Sequence, residues 1–363
     1  MKKKTINAII TKKINSWLDS IQDKELAKTI KHDIVVTGGC VTSLLLTEEV
    51  NDFDIYLKTK ESLKLLSQYY CKLFNEKNKD RKNKLGRPLH AWVLDGEDVK
   101  EWENNNKLLS SFAYDYPNIS YLEVQHWNPN PNDGNYKHYR NVSGVILNTK
   151  PDRVKIVINS DGVAEDSDSK ADNSEYDINN YLKAVDDGDT IPAATAATAA
   201  TAETEKYLPI FLSTNAITLS NKIQIVVRFY GEPAKIHENY DFIHATNFWT
   251  YNEGVVLNQP ALEAILNKEL VYVGSKYPVC SLVRTRNFIK RGWQINAGQY
   301  VKIAFQISEL NLKDPYVLED QIVGVDSLYF LNFINTLKEK QMNDKNFVLT
   351  QEYLTTVIDR IFG

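Results

Sequence analysis

The sequence predicts an α/β (α+β) fold, with strands and helices mixed in the first two thirds and a helical C-terminal region. Three observations carry this. A β-rich run, Ile34-Val35-Val36, leads through Gly38-Gly39 and a short apolar stretch to a second β-rich run from Phe53 to Leu57. Between 207 and 257, β-branched and aromatic runs such as IQIVVRF (223–229) alternate with breakers such as Gly231-Glu232-Pro233. Beyond Pro260, segments 261–270, 281–291, 299–310, 318–338 and 351–362 read as helices.

Taken in order, residues 5–31 read as two helices. Ile6, Ile9/Ile10, Ile14, Trp17/Leu18 and Ile21 recur at helical spacing, and Asp23 is placed to cap the second helix, which runs to Ile30. The strand ending at Gly38 comes next, then a helix over 41–46, then the strand at 53–57. Residues 60–74 form an amphipathic helix with Leu63, Leu66, Tyr70 and Leu73 on one side. A basic run follows (Lys77, Lys79, Arg81, Lys82, Lys84, Arg87). It reads as a solvated loop with the chemistry to touch a polyanion. Strands are expected at 90–94, 119–124 and 154–159, and a helix at 100–112. The breaker-rich WNPNPNDGNY (127–136) lies between them.

From 162 to 205 the chain is rich in Asp, Ser, Ala and Thr and contains AATAATAATAET. So few large apolar residues cannot offset the entropy of ordering, so this stretch reads as a mobile insertion within a first domain of residues 1–258. Strands are expected at 208–212, 223–229 and 240–244, a short helix at 234–238, and a hairpin at 248–257 turning at Asn252-Glu253-Gly254. Residues 259–363 form the helical second region.

Composition narrows the function classes. With 363 residues the chain can bury a sizeable core, and its net charge of −4 gives no global pull toward nucleic acid. Cys40, Cys71 and Cys280 are far apart and form no CxxC or Cys/His pattern, which argues for reduced thiols and against a structural zinc. No run has the length of a signal peptide's apolar core or of a membrane span, so an intracellular (cytoplasmic) protein with no membrane partner is expected. There is no Walker loop, G-x-S-x-G or HExxH.

The chemistry concentrates at 35–57. Two glycines after a strand let the backbone turn sharply and approach a ligand, leaving amide N–H groups at a helix start where phosphate can sit. Ser43 adds a hydroxyl. Asp52 and Asp54 are two apart, so on a strand they share a face, where paired carboxylates can hold Mg²⁺ (or Mn²⁺) together with triphosphate oxygens. An ordinary strand–turn–helix with a solvated acidic strand start is the plain alternative.

In spacing, Gly38-Gly39-Cys40-Val41-Thr42-Ser43, then Leu44-Leu45-Leu46, then Asp52-Phe53-Asp54 resembles the GGxVRD…DxD motif of the DNA polymerase beta-type nucleotidyltransferase superfamily. Within it the closest resemblance is to the head of tRNA nucleotidyltransferases and bacterial poly(A) polymerases. Thr42-Ser43 stands where those families have Arg-Asp. The resemblance implies a nucleotidyltransferase head with a mixed sheet, an NTP substrate, and a third carboxylate on a neighbouring strand. At the matching IEV-type position the sequence has Ile223-Gln224-Ile225, a neutral amide. Asp241 is the first candidate for the third acid and Glu123 the second. For Asp241 a capping role is the competing reading.

SLVRTRNFIKRGWQI (281–295) resembles the neck helix of the same enzymes, with Arg284, Phe288 and Arg291 at matching offsets along one face. That likeness implies that Arg284 and Arg291 contact triphosphate or an RNA end; salt bridges inside the fold are the alternative. Glu319-Asp320 lacks the arginine of the family's base-reading EDxxR. Segments around 223–242 also resemble uncharacterised nucleotidyltransferase-like proteins of phages, which would place the protein in a host cytoplasm. His237 and His244 read as core or surface residues. Trp127, Phe248, Trp249, Tyr251 and Trp293 have the chemistry to stack bases, but packing is the commoner use.

The expected activity is metal-dependent transfer of a nucleoside monophosphate from an NTP to an acceptor hydroxyl. Asp52, Asp54 and Asp241 are catalytic, Asp52 and Asp54 bind metal, and Gly38, Gly39, Ser43, Arg284 and Arg291 bind nucleotide. An RNA 3′ end is the preferred acceptor. Transfer to a protein or small molecule, or a degenerate nucleotide-binding scaffold, are the rivals.

Overall fold

The computed structural model describes residues 1–82, 89–95, 154–158 and 207–312 except 214, with single positions at 317, 321, 350 and 355. The helix at 100–112, the strand at 119–124 with Glu123, the loop at 127–136 with Trp127, the insertion at 162–205, and the segments 318–338 and 351–362 apart from single positions lie outside the described residues. The described residues divide into two compact units, with those up to 158, 207–236 and 247–256 in one and 237–246 and 257–312 in the other.

The first unit begins with α1 (Lys3–Ser20), whose Ile6, Ile10, Ile14, Trp17 and Leu18 are buried at the predicted helical spacing. Asp23 caps α2 (Lys24–Ile30) as expected, its Oδ1 accepting the Leu26 N–H at 2.9 Å. The strand β1 (Ile34–Thr37) leads into α3 (Gly39–Leu46), and β2 (Phe53–Leu57) follows. Thr59 caps α4 (Lys60–Lys77). The Trp17 indole N–H donates to the Tyr70 hydroxyl at 2.8 Å, which ties α4 to α1 in the core. The strands β3 (Ala91–Asp95) and β4 (Val154–Ile158) form a separate antiparallel pair.

The main sheet adds β5 (Pro209–Leu212), β6 (Ala216–Leu219), β7 (Ile223–Val226), β8 (Phe248–Thr250) and β9 (Gly254–Val256). Its order is β5-β6-β7-β2-β1-β8-β9. The β2–β7 pair is parallel and the others are antiparallel, so the sheet is mixed. Register sorts the residues into rows. One row, Ile217, Ile225, Ile55, Val36, Trp249 and Val255, is wholly apolar and buried. At about 1.5–3 kcal/mol per buried large side chain, such a row is a main source of the sheet's stability. The α1 helix lies on this side, where Asn7 Oδ1 accepts the Trp249 indole N–H at 3.0 Å. The next row points to the opposite face and reads Thr218, Gln224, Asp54, Thr37, Phe248 and Val256, polar over its first four members.

The strand predicted at 223–229 ends at Val226, because the Val227 and Arg228 N–H groups both turn to the Asn215 carbonyl. Gly231 then returns its N–H to the Leu57 carbonyl, and α5 (Pro233–His237) follows.

The second unit contains α6 (Gln259–Asn267), α7 (Pro278–Lys290) and α8 (Ala297–Ser308). Its core includes Phe242, Ile265, Leu270, Tyr272, Trp293 and Ile303. The strand expected at 240–244 is not formed. Phe242 makes a single bridge to Tyr272, and a 3-10 turn then covers Ile243–Ala245. The alternation Tyr-Asp-Phe-Ile-His is genuine, but the backbone finds one partner residue rather than a strand. The Thr246 hydroxyl, donating to the Ile243 carbonyl at 2.7 Å, then holds the turn.

Candidate functional site

In the first unit the site residues converge at the junction of β1, α3 and β2. Gly38 has φ 93° and ψ −151°, a conformation costly for any residue with a Cβ, and it serves as the N-cap of α3. The helix starts at Gly39, two residues before the predicted start. Glycine, read only as a turn signal, here opens the helix. Gly39 is exposed, and a Cβ placed on it would meet nothing within 4 Å. Open space therefore lies beside Gly39, the first residue of an eight-residue helix, while the rest of its first turn is buried. The earlier start puts Ser43 in the second turn of α3, where it is buried.

Asp54 is half-buried on β2, and Asp52 sits two residues earlier, just before the strand. Both carboxylates lie close to the Cys40 thiol in the first turn of α3. Burial pushes that thiol far above its ordinary value, and Asp54 and then Asp52 push it the same way. Cys40 stays protonated, with its S–H toward the Thr37 carbonyl at 3.8 Å. Both carboxylates are thus near enough to the first turn of α3 to act on the Cys40 thiol.

Gln224 is paired in register with Asp54 on the adjacent parallel strand. The neutral amide therefore occupies the flank of Asp54 where the nucleotidyltransferase resemblance calls for an acid. On the other flank is Thr37, fully buried, its hydroxyl donating to the Asn247 carbonyl at 2.9 Å. Among the described residues, no group of three or more His, Cys, Asp and Glu side chains gathers as a metal cage. Two carboxylates and an amide oxygen beside a helix N-terminus nevertheless suit a Mg²⁺ ion that shares its shell with phosphate oxygens, since Mg²⁺ is commonly held by one or two carboxylates plus substrate phosphates.

The other predicted site residues lie in the second unit. The Asp241 carboxylate is engaged at both oxygens. Oδ1 accepts the Phe242 N–H at 3.0 Å, and Oδ2 accepts from Arg284 Nη1 at 2.7 Å. Arg284 Nη2 also donates to Cys280 Sγ at 3.6 Å. Arg291 follows α7 directly and is exposed; its N–H closes the helix on the Asn287 and Phe288 carbonyls. Phe288 turns into an aromatic cluster, with ring centroids 4.8 Å from His244, 5.7 Å from Phe242 and 5.9 Å from Trp293.

His244 is buried at the centre of that cluster, 4.3 Å from the Trp293 ring, as the core reading expects. Burial lowers its pKa to about 4, outweighing Asp241, which raises it; Arg291 and Arg284 add to the lowering. His237 is half-buried against Tyr240 and is also lowered to about 4 by burial. Among the described residues with base-stacking chemistry, Trp249, Tyr251 and Trp293 are used in packing. Trp249 and Tyr251 meet at 4.8 Å, and Trp293 is enclosed.

The structure therefore gathers Gly38, Gly39, Asp52 and Asp54 in one unit, and Asp241, Arg284 and Arg291 around His244 in the other. Sequence reasoning missed Cys40, which both carboxylates influence, and Thr37 and Thr218 in the row of Asp54. Their signal was present as the third residue of Gly-Gly-Cys and as polar positions inside β-rich runs. It could not be read without the register.

Among the described residues, no helix is long and apolar enough to cross a membrane. The model of one protein family, described as Gabija anti-defense 2 family protein, matches residues 8–268. No curated protein and no solved structure matches the chain.

Proposed function

The chain belongs to the Gabija anti-defense 2 family, and on that footing we propose that it counters the Gabija defence as a metal-dependent nucleotidyltransferase. It would move a nucleoside monophosphate from an NTP to an acceptor hydroxyl inside a host cell. The observation that carries this is the pairing of a glycine-initiated helix α3 with Asp52 and Asp54, both near enough to act on Cys40 in its first turn.

Asp52 and Asp54 would hold Mg²⁺ or Mn²⁺. The bound ion supplies charge neutralisation and polarisation of the phosphoryl group under attack. The chain's own part is positioning. The α3 amides donate to phosphate oxygens, Gly38 sets the turn, and the bare Gly39 admits the phosphates closely. In the second unit the exposed Arg291 is a cationic donor suited to an acceptor strand, while Arg284 is held by Asp241. The likeness of 281–295 to a neck helix favours an RNA 3′ end as acceptor.

A second reading is favoured by one observation. Gln224 is uncharged beside Asp54, and Asp241 is held by Arg284. A chain with this arrangement can bind Mg²⁺-nucleotide and act as a nucleotide-binding scaffold, without transfer.

Both readings are tested by incubating the protein with each α-labelled NTP, Mg²⁺ or Mn²⁺, and a mixed RNA pool or host lysate. Label in RNA that vanishes in Asp52→Ala/Asp54→Ala supports terminal transfer. Label in protein or in a small molecule moves the acceptor. Nucleotide binding without transfer selects the scaffold, and the absence of both overturns the proposal.

A further inference from the structure

We propose that residues 322–334 dock as a helix along the apolar stripe that α8 leaves exposed, running antiparallel to it within the second unit.

Three observations carry it. First, α8 has an uncovered side. Among its residues Ile303 alone is buried, while Val301 is 52% and Phe305 69% exposed, four apart on the helix. Residues at that spacing lie one above the other, and the exposed Ala304 and Ser308 extend the same stripe. Large apolar side chains grouped on one exposed face mark a contact surface.

Second, the chain returns to this surface after leaving it. Val317 and Gln321 are both helical and stand one turn apart, at the start of the helix expected over 318–338. Gln321 is buried, and its Nε2 donates to the Lys276 carbonyl at 2.9 Å. The last turn of α8 is fixed at the same place, where Gln306 Oε1 accepts the Ser275 N–H at 3.1 Å. A helix continuing from Gln321 thus sets out beside the C-terminal end of α8. The connection from α8 is short, as it is between antiparallel neighbours.

Third, the sequence that follows needs cover. IVGVDSLYFLNFI (322–334) has Asp326 as its sole charged residue. A helix apolar nearly all round has to be buried. Ile322, Val325, Tyr329 and Phe333 share one side at helical spacing. As a helix the segment spans about 20 Å and α8 about 18 Å, so the two match in length. With Gln321 opposite Gln306, Ile322 comes level with Phe305, and Val325 falls within one residue of the level of Val301.

The test joins the two surfaces by cysteine pairs in the full chain carrying Cys280→Ser, since Cys40 and Cys71 are buried. Val301→Cys/Val325→Cys, oxidised with copper phenanthroline, is expected to form an intramolecular disulfide in most molecules, mapped by mass spectrometry. Val301→Cys/Leu337→Cys should not, because the second position lies about 18 Å further along the helix. Hydrogen exchange gives a readout free of new cysteines. Amides of 322–334 in the wild type should exchange at least about a hundredfold slower than in an unfolded chain, and Phe305→Asp should remove most of that protection while α1 and the main sheet keep theirs. A disulfide between chains, with dimers in light scattering, assigns the face to a second copy and overturns the proposal. So does the lack of any disulfide in a pair variant that melts like wild type, fast exchange across 322–334, or protection that ignores Phe305→Asp.

Discussion

The acidic face of the first unit and the Asp241–Arg284–His244 cluster of the second hold similar side chains put to opposite uses. At the first, Asp54 is half-buried, Gly39 opens onto empty space, and Gln224 lies in register beside the acid. At the second, both carboxylate oxygens of Asp241 are engaged, and His244 is enclosed by Phe242, Phe288 and Trp293. A reactive site keeps polar atoms available to a ligand, while a brace uses them on one another. Residue type alone does not separate these cases, since Asp is the key residue in both.

The comparison predicts a series of effects. The largest belongs to Asp52→Asn/Asp54→Asn. Losing several kcal/mol of charge stabilisation should cut nucleotidyl transfer by about a thousandfold or more, read by label incorporation, with little change in melting temperature. Transfer surviving in the double variant would remove this face from the chemistry.

Next is the acid response of the second unit. His244 titrates near 4 when folded and near 6.5 when unfolded, so unfolding takes up a proton between those values. Stability should be complete above about pH 6.5 and decline by up to about 3 kcal/mol as pH falls toward 4, with His244→Phe flattening that slope in denaturant titrations.

Asp241→Asn comes third. Breaking an ion pair whose acid is buried and whose Arg284 side chain is 35% exposed should cost about 2 kcal/mol, seen as a lower melting temperature. Unchanged melting would instead show that the pair does not brace the second unit.

The glycines come last, Gly38 with an effect on the scale of Asp241 and Gly39 with the smallest of all. Gly38→Ala forces a Cβ into a positive-φ conformation and should destabilise by about 1–3 kcal/mol. Gly39→Ala meets no neighbour and should stay within about 0.5 kcal/mol of wild type, while weakening NTP binding measured by calorimetry.

Much of this was legible in the sequence. The spacing of Ile6, Ile10, Ile14 and Trp17 marked α1, Asp23 marked its neighbour's cap, and Gly-Gly followed by Asp-Phe-Asp marked the junction. These features depend on periods and local chemistry, which a sequence displays directly. What was not legible depends on partners distant in the chain. The alternation at 240–244 describes side chains, but a strand needs a backbone neighbour, and only Phe242 found one, at Tyr272. Arg284 carries the spacing of a phosphate clamp, while its contact with Asp241 spans 43 residues. Gln224 could be named as an odd residue in a strand, and only the β2–β7 register shows that it flanks Asp54.

The sheet's middle carries a consequence for how the protein is made. β1 has β2 on one side and β8 on the other, and the Thr37–Asn247 hydrogen bond between those regions joins residues 210 apart. During synthesis β1 emerges early and must keep one hydrogen-bonding edge open until the chain beyond residue 250 has left the ribosome. At about 5–20 residues per second, that interval is on the order of ten seconds or more. An unpaired apolar strand edge is a template for pairing with other chains. Truncation between α5 and β8 should therefore yield insoluble protein even though Asp52, Asp54 and the α3 glycines are all present, and a fragment ending beyond β9 should stay soluble.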